Sequence, residues 1–293
     1  MTSDNNPTNE TEEQAPGTQH PARVYFALLG AKGPFYSELT VAQGIIADYA
    51  RQGLDARAST WSARHCSERM VAYLANDLGI RQFLDLGCGY PLEPNMHQIA
   101  RAVSPDARCL LVDSDPIVAD YWDLELSVAP AEHEHVRFLH ADVTDVDEVL
   151  GSPQVAEILD LNEPVGLLVN NVLCFISDRS RPHHMMARYV EALAPGSYVT
   201  INHPTGDLRD MSKVVDVYNA NAADGPLHLR SHEQILRFFD GLVLQDPGLV
   251  LTHSWRPDIV VPHPPGMPRT PRVASSGISD VSDSKLAAVA RKE

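Results

Sequence analysis

Two hydrophobic rhythms organise this chain. Leu39, Ala42, Ile45, Ile46 and Tyr49 recur at helical spacing and predict a helix over 37–52. Trp61, Cys66, Met70, Tyr73 and Leu74 do the same over 59–78. Short apolar runs then take over, and 82–86, 108–112, 136–139, 165–170 and 197–202 read as strands. Helical patterns separate them at 94–103, 116–126, 145–150 or 153–159, and 181–193. The run at 165–170 is nearly all apolar, as a strand covered on both faces requires. Strands alternating with helices predict an α/β fold with a doubly wound, mostly parallel sheet and crossover connections. Helices over 209–221 and 231–239 follow, and the runs 242–244 and 250–255 read as a closing hairpin.

The two ends break this pattern. Residues 1–20 are nearly devoid of apolar side chains and carry Asp4, Glu10, Glu12 and Glu13 with no Lys or Arg, which predicts a disordered tail. From Pro262 the run His263-Pro264-Pro265-Gly266-Met267-Pro268 interrupts any element, so 262–293 reads as a second tail with at most a short helix between Ser284 and Arg291. One folded domain over 21–261 is expected, its first part, 21–80, forming a helical cap.

Composition narrows the function. With 293 residues, 44% of them hydrophobic, the chain can bury a core without staples. A formal net charge of −16 repels phosphate backbones and argues against a nucleic-acid partner. Cys66, Cys88, Cys109 and Cys174 form no C-x-x-C pair, so they read as reduced thiols of a cytoplasmic protein, and no metal site is indicated. No signal peptide and no run of about 18 apolar residues is visible, so no membrane association is expected.

Chemistry concentrates at Phe83-Leu84-Asp85-Leu86-Gly87-Cys88-Gly89. A buried strand that ends in an acid and two glycines makes a tight turn whose backbone approaches a ligand, since no Cβ intervenes. Asp113 ends the next apolar run, where a doubly wound sheet places a carboxylate for a ribose hydroxyl pair. Tyr90-Pro91-Leu92 replaces the third glycine of a dinucleotide motif, so the turn suits a nucleoside better than a pyrophosphate.

Asp85-x-Gly87-x-Gly89, Asp113, and Asp142 after Phe138-Leu139-His140-Ala141 together resemble the three-signal pattern of class I S-adenosylmethionine-dependent methyltransferases. A closer resemblance covers about 23–258. It includes the runs that begin at Arg23, Gly79, Pro94, Ala194, Arg230, Phe238 and Trp255, and it is to the actinobacterial S-adenosyl methyltransferase family once catalogued as a domain of unknown function. The resemblance implies a Rossmann-like, seven-stranded sheet with N-terminal helical cover, and S-adenosyl-L-methionine as cofactor. It says little about the acceptor. The chain also departs from that pattern at Gly33-Pro34-Phe35, Ala63, Asn170-Asn171 and Cys174, where cofactor and acceptor would meet.

The resemblance assigns Gly87 and Gly89 to the floor beneath the amino-acid and ribose portions, with Asp85 and Ser114 beside them. Asp113 would accept from both ribose hydroxyls. Asp142 would accept from the adenine amine, with the Val143 N–H as a second contact, and Asn170 would lie beside the sulfonium. Tyr25, Arg64 and Lys32 would reach the amino-acid end, Lys32 with a surface position as its alternative. Asp115 reads as a helix cap ahead of Pro116. Asn95 and His97 either fix the loop or touch ligand, and His183-His184 read as surface or caps. Methyl transfer mainly requires alignment and exclusion of water. If the acceptor must lose a proton, His203, Tyr36 and His65 are the candidate bases. Cys174 reads as buried packing unless its thiol is activated.

Several functions remain open at this point. One is a methyltransferase for a small-molecule acceptor, as in secondary metabolism. Others are transfer of the aminocarboxypropyl arm or cyclisation on the same cofactor, a non-catalytic cofactor-binding protein, and, weakest, a nicotinamide dehydrogenase. A second copy of the chain is a further candidate partner.

Overall fold

The computed structural model describes residues 20–31, 36–129, 134–220, 225–263 and 283–293. The first three helices are α1 (Pro21–Leu28), α2 (Tyr36–Arg51) and α3 (Ala56–Asn76). The alternating part follows as β1 (Gln82–Leu86), α4 (Met96–Val103), β2 (Arg108–Asp113), α5 (Pro116–Val128), β3 (Val136–His140), α6 (Val146–Leu150), α7 (Pro153–Ile158), β4 (Gly166–Asn170), α8 (Pro182–Ala192) and β5 (Tyr198–Pro204). The last elements are α9 (Ser212–Asn219), α10 (His232–Leu236), β6 (Val243–Leu244), β7 (Val250–Leu251) and β8 (Lys285–Arg291).

Local chemistry sets the helix starts. Asp55 accepts from the N–H groups of Arg57 and Ala58 ahead of α3. Asp115 accepts from Ile117 N–H with Pro116 in the first turn of α5, as its sequence suggested. Asn95 and Gln98 form a reciprocal capping box ahead of α4, and Asn95 also accepts from Leu92 N–H, so Asn95 fixes the loop. His97 packs its ring edge-on against Trp122 within the core.

The strand order is β3-β2-β1-β4-β5-β8-β6, with β7 also on β8. Strands β1 to β5 run parallel, and β8 runs antiparallel to β5, β6 and β7. Alternate residues face opposite layers. Leu84, Leu86, Leu110, Val112, Leu167 and Val169 pack with α6, α7 and α8 on one side. Phe83, Cys109, Leu111 and Leu168 pack with α3, α4 and α5 on the other. A third, smaller cluster joins Val24, Val41, Ile45, Tyr49, Val214 and Tyr218, and it holds α1, α2 and α9 together as a cap over the carboxyl ends of the strands.

Three expectations need correction here. The sheet has eight strands among the described residues, not seven. The short β6 and β7 do not pair with each other as a hairpin. They lie along opposite ends of one neighbour, β6 against Ala290 and Arg291 and β7 against Leu286 and Ala287. That neighbour, β8, comes from the stretch read as a tail. Lys285-Leu-Ala-Ala-Val-Ala-Arg291 is rich in alanine, the best helix former, yet it lies between β5 and the β6/β7 edge with both faces covered. Ladder hydrogen bonds and burial of Leu286, Ala287, Ala288, Val289 and Ala290 override the local preference. The tail predicted over 1–20 lies almost entirely outside the described residues, as does Lys32.

Buried polar ties secure the residues just after β7 and just before β8 to α3. Ser62 Oγ lies 2.6 Å from Thr252 Oγ1 and donates to Asp283. Arg69 donates to the carbonyls of Thr252 and Trp255. Removing 285–293 would expose β5 as an edge and strip its ladder with β8 and the Lys285 contacts to Ser59. Val289→Asp, which places a carboxylate in this core, should destabilise the protein by more than about 3 kcal/mol in urea unfolding. A truncated chain that keeps the full-length melting temperature would contradict the position of β8.

Candidate functional site

The carboxyl ends of β1, β2, β4 and β5 open into a cavity of about 520 Å³ that α1 roofs over. Its floor is the turn after β1. Gly87 and Gly89 adopt φ of 68° and 66°, a left-handed backbone that glycine takes without strain. A Cβ on Gly87 would also come within 2.3 Å of Val172. Gly89 N–H donates to Asp113 Oδ2 at 2.9 Å, and its carbonyl accepts from Trp122 Nε1 at 2.7 Å. Asp115 N–H donates to Asp113 Oδ1 at 3.0 Å. Two backbone N–H groups thus hold the Asp113 carboxyl at the rim, one on each oxygen, and each oxygen keeps room for a further donor.

All ten residues expected to hold the cofactor line this one cavity: Tyr25, Arg64, Asp85, Gly87, Gly89, Asp113, Ser114, Asp142, Val143 and Asn170. Tyr25 comes from the roof, and burial pushes its phenol up to about 12, so it stays a hydrogen-bond donor at neutral pH. Arg64 pairs with Glu68 at 3.0 Å and donates to the carbonyls of Leu92 and Pro94, which binds the loop after the glycine turn to α3. Asp142 accepts from Thr144 N–H through Oδ1 at 2.8 Å. The Val143 carbonyl accepts from Tyr189, while its N–H donates to none of the described residues. Asn171, just past β4, has φ 57°, a conformation asparagine tolerates better than most residues, and its side chain meets the Tyr25 hydroxyl.

The electrostatics of the rim centre on Asp85. Its side chain is buried and accepts no hydrogen bond from the described residues. Burial raises its carboxyl to about 7, against a lowering by Arg64, with Asp113 raising it further. Burial raises Asp113 too, and its two backbone donors offset part of that.

The three candidate bases do not reach the cavity. His203 is fully buried behind the strand ends, with Nδ1 on the Pro204 carbonyl at 2.7 Å and Nε2 on Arg230 at 2.9 Å. Burial lowers it to about 3, too weak for a base at neutral pH. Tyr36 is 85% exposed at the start of α2. His65 lies against Trp61 on α3 and is absent from the lining. All three were placed by topology or sequence proximity, and neither reports which way a side chain points. Cys174 does line the cavity, but burial lifts its thiol to about 12, which leaves it unreactive. His183 lies inside α8, stacked on Phe238.

Sequence reasoning missed Ser284 and Lys285, which enter the cavity from the start of β8, and Thr60 and Ser67 of α3. One signal was available for the first pair. The apolar run Leu286–Ala290 is strand-length and bounded by Lys and Arg, as a strand buried on both faces would be.

Comparison with known proteins agrees with this geometry. Residues 8–293 match the model of a family described as S-adenosyl methyltransferase. A solved DUF574 family protein from Streptomyces avermitilis MA-4680 is 31% identical, with a TM-score of 0.82 over 94% of this chain and 98% of that one. A protein from Thermobifida fusca YX described as a methyltransferase is also 31% identical, with a TM-score of 0.79 over 94% of this chain and 96% of that one. A geranyl diphosphate methyltransferase solved with SAM shares only the fold, at 16% identity and a TM-score of 0.50 over 91% of this chain and 94% of that one. No curated protein matches the chain.

The raised Asp85 carboxyl has a consequence for stability. The folded state holds this proton more tightly than the unfolded chain, so the stabilisation is complete below about pH 4 and is lost as pH rises through about 7. Relative to wild type, Asp85→Asn should remove a decline of roughly 1.4 kcal/mol per pH unit across that window. The variant should be the more stable protein above it. Urea unfolding measured from acid to neutral pH checks this, and identical pH slopes for the two proteins would contradict it.

Proposed function

The chain belongs to the S-adenosyl methyltransferase family, and from that membership we propose that the cavity aligns S-adenosylmethionine with a small-molecule acceptor. The enzyme class and the cofactor follow from the family; the use of the individual residues and the kind of acceptor are our reading. The observation that carries it is a row of polar groups at one rim whose hydrogen-bonding capacity the protein leaves partly unused. These are the Asp85 carboxyl, the second lone pairs of Asp113 and the N–H of Val143. Buried polar groups are ordinarily satisfied, so such a row fits a ligand that supplies the partners.

The residues suit the chemical parts of this cofactor in turn. Asp113 would accept from the two ribose hydroxyls, because two carboxylate oxygens match two donors. Asp142 and the Val143 N–H would take the adenine edge. Asp85 would hold the α-ammonium, whose positive charge offsets the burial that now penalises its ionised form. Tyr25 would donate to the carboxylate end. When bound, S-adenosylmethionine supplies a methyl group on a cationic sulfur, which an electron pair of the acceptor takes as the carbon–sulfur bond breaks, leaving S-adenosylhomocysteine. What the protein contributes is position and dryness. Tyr25, Phe26, Leu28 and Leu29 of the roof cover the reacting region, and Asn170 stands at the end of β4, where cofactor and acceptor would meet.

Arg23 fixes that roof. It bonds Asp115 at 3.0 Å and Glu38 at 3.2 Å, joining α1 to α5 and α2, and His20 adds a contact to Asp115 at 3.2 Å. A roofed cavity of this size favours a small molecule over a macromolecular acceptor.

Asp113→Ala should weaken S-adenosylmethionine binding by roughly 1–3 kcal/mol in calorimetry, the range for lost charge-assisted hydrogen bonds. Unchanged affinity would remove the ribose assignment. Turnover with a competent acceptor should release S-adenosylhomocysteine, read by mass spectrometry. Methylthioadenosine in its place would mean transfer of a different arm of the cofactor.

A further inference from the structure

Beyond the cofactor rim the cavity continues under the helical cap. Ile45, Tyr49, Val214, Tyr218, Leu227 and Leu229 give this chamber apolar and aromatic walls. Its polar groups gather at the end where β8 begins, around Thr60, Ser284 and Lys285. Tyr49 and Ser284 bond each other there at 2.9 Å.

Lys285 stands out among them. Its Nζ donates to Ser59 Oγ at 3.1 Å and to the Ser59 carbonyl at 3.4 Å, which leaves one of its three donors for the cavity it lines. Among the described residues that line the cavity, the cationic side chains are Arg64 and Lys285. Arg64 is paired with Glu68, whereas Lys285 is paired with no carboxylate. The nearest acid in sequence, Asp283, turns Oδ2 to Ser62, Thr252 and His253 and Oδ1 to the Lys285 backbone N–H. The Asp283 carboxylate feels the Lys285 charge, but among the described residues no carboxylate forms a direct ion pair with Nζ, so a ligand carboxylate would supply the direct partner the protein does not.

Register fixes its place relative to the reacting end. Asn170 is paired with Asn202 across β4 and β5, and Lys285 with Pro204 across β5 and β8. Two strand intervals separate β4 from β8, about 10 Å along the rim. A molecule lying across them would span from Asn170 to the Lys285 ammonium.

Resting on the methyltransferase reading of this cavity, we propose that the acceptor is an apolar monocarboxylic acid, with its carboxylate bound by Lys285, its hydrophobic body in the chamber and its nucleophilic atom beside Asn170. One ammonium without a direct carboxylate partner matches one negative charge. A phosphate monoester, with two charges, finds no second unpaired cation among the described lining residues.

The test uses the full-length protein saturated with S-adenosylhomocysteine, titrated calorimetrically with 2-naphthoate, decanoate, their carboxamides and 2-naphthyl phosphate. At least one carboxylate should bind about tenfold more tightly than its carboxamide, a difference of about 1.4 kcal/mol. Lys285→Met should abolish that preference while leaving carboxamide binding and the S-adenosylhomocysteine affinity as they are, and Lys285→Arg should restore part of it. Retained S-adenosylhomocysteine binding by Lys285→Met shows that the variant is folded. Failure of the wild-type protein to bind S-adenosylhomocysteine would sink the cofactor reading instead. With that binding intact, three results overturn the acceptor proposal: no carboxylate binds, the preference survives Lys285→Met, or the phosphate ester binds in place of the acids.

Discussion

The Asp113 carboxyl, held by the backbone N–H groups of Gly89 and Asp115, is the tie on which the rest of the site depends. It joins the turn after β1 to the start of α5, so two neighbouring strand ends share one rigid rim. Trp122 completes the joint by donating to the Gly89 carbonyl from within α5. Because both N–H groups approach from the protein side, the carboxyl is oriented before any ligand arrives. Preorganisation of this kind lowers the ordering cost of binding.

A second constraint comes from the far end of the chain. β8 inserts between β5 and the short edge strands, and its first residues complete the cavity opposite the glycine turn. The same segment therefore closes the sheet and furnishes the one lining cation that lacks a carboxylate partner among the described residues. α3 joins the two ends of the cavity: it carries Arg64, which holds the loop after the glycine turn, Ser59 for Lys285, and Ser62 and Ser67 for the buried ties to Asp283 and Asn202.

The rim was legible in the sequence because its signals are local. A strand that ends in Asp85 and two glycines, a next strand that ends in Asp113, and a third followed by Asp142 need only period and spacing to be found. The helix start at Asp115 was similarly readable from capping chemistry, whereas the start of α3 at Asp55 lies before the 59–78 expected from periodicity. Other features depended on distant partners. β8 is alanine-rich and follows a proline-broken stretch, so its one local strand signal, the apolar run Leu286–Ala290, competes with a helical preference and does not say where the strand inserts. His203 sits at the correct strand end, yet its ring turns toward Arg230 and Phe238, away from the cavity. Side-chain direction at a strand end is set by packing from elements far away in sequence. For that reason the catalytic candidates lie away from the cavity that the expected cofactor residues line.

The most direct measurement is a crystal structure of the full chain soaked with S-adenosylhomocysteine. Electron density is expected in the roofed cavity, with the ribose hydroxyls on Asp113, the adenine edge on the Val143 N–H and the amino group on Asp85. Ligand density elsewhere, or a cavity filled by a rearranged roof with Asp113 turned away, would contradict it.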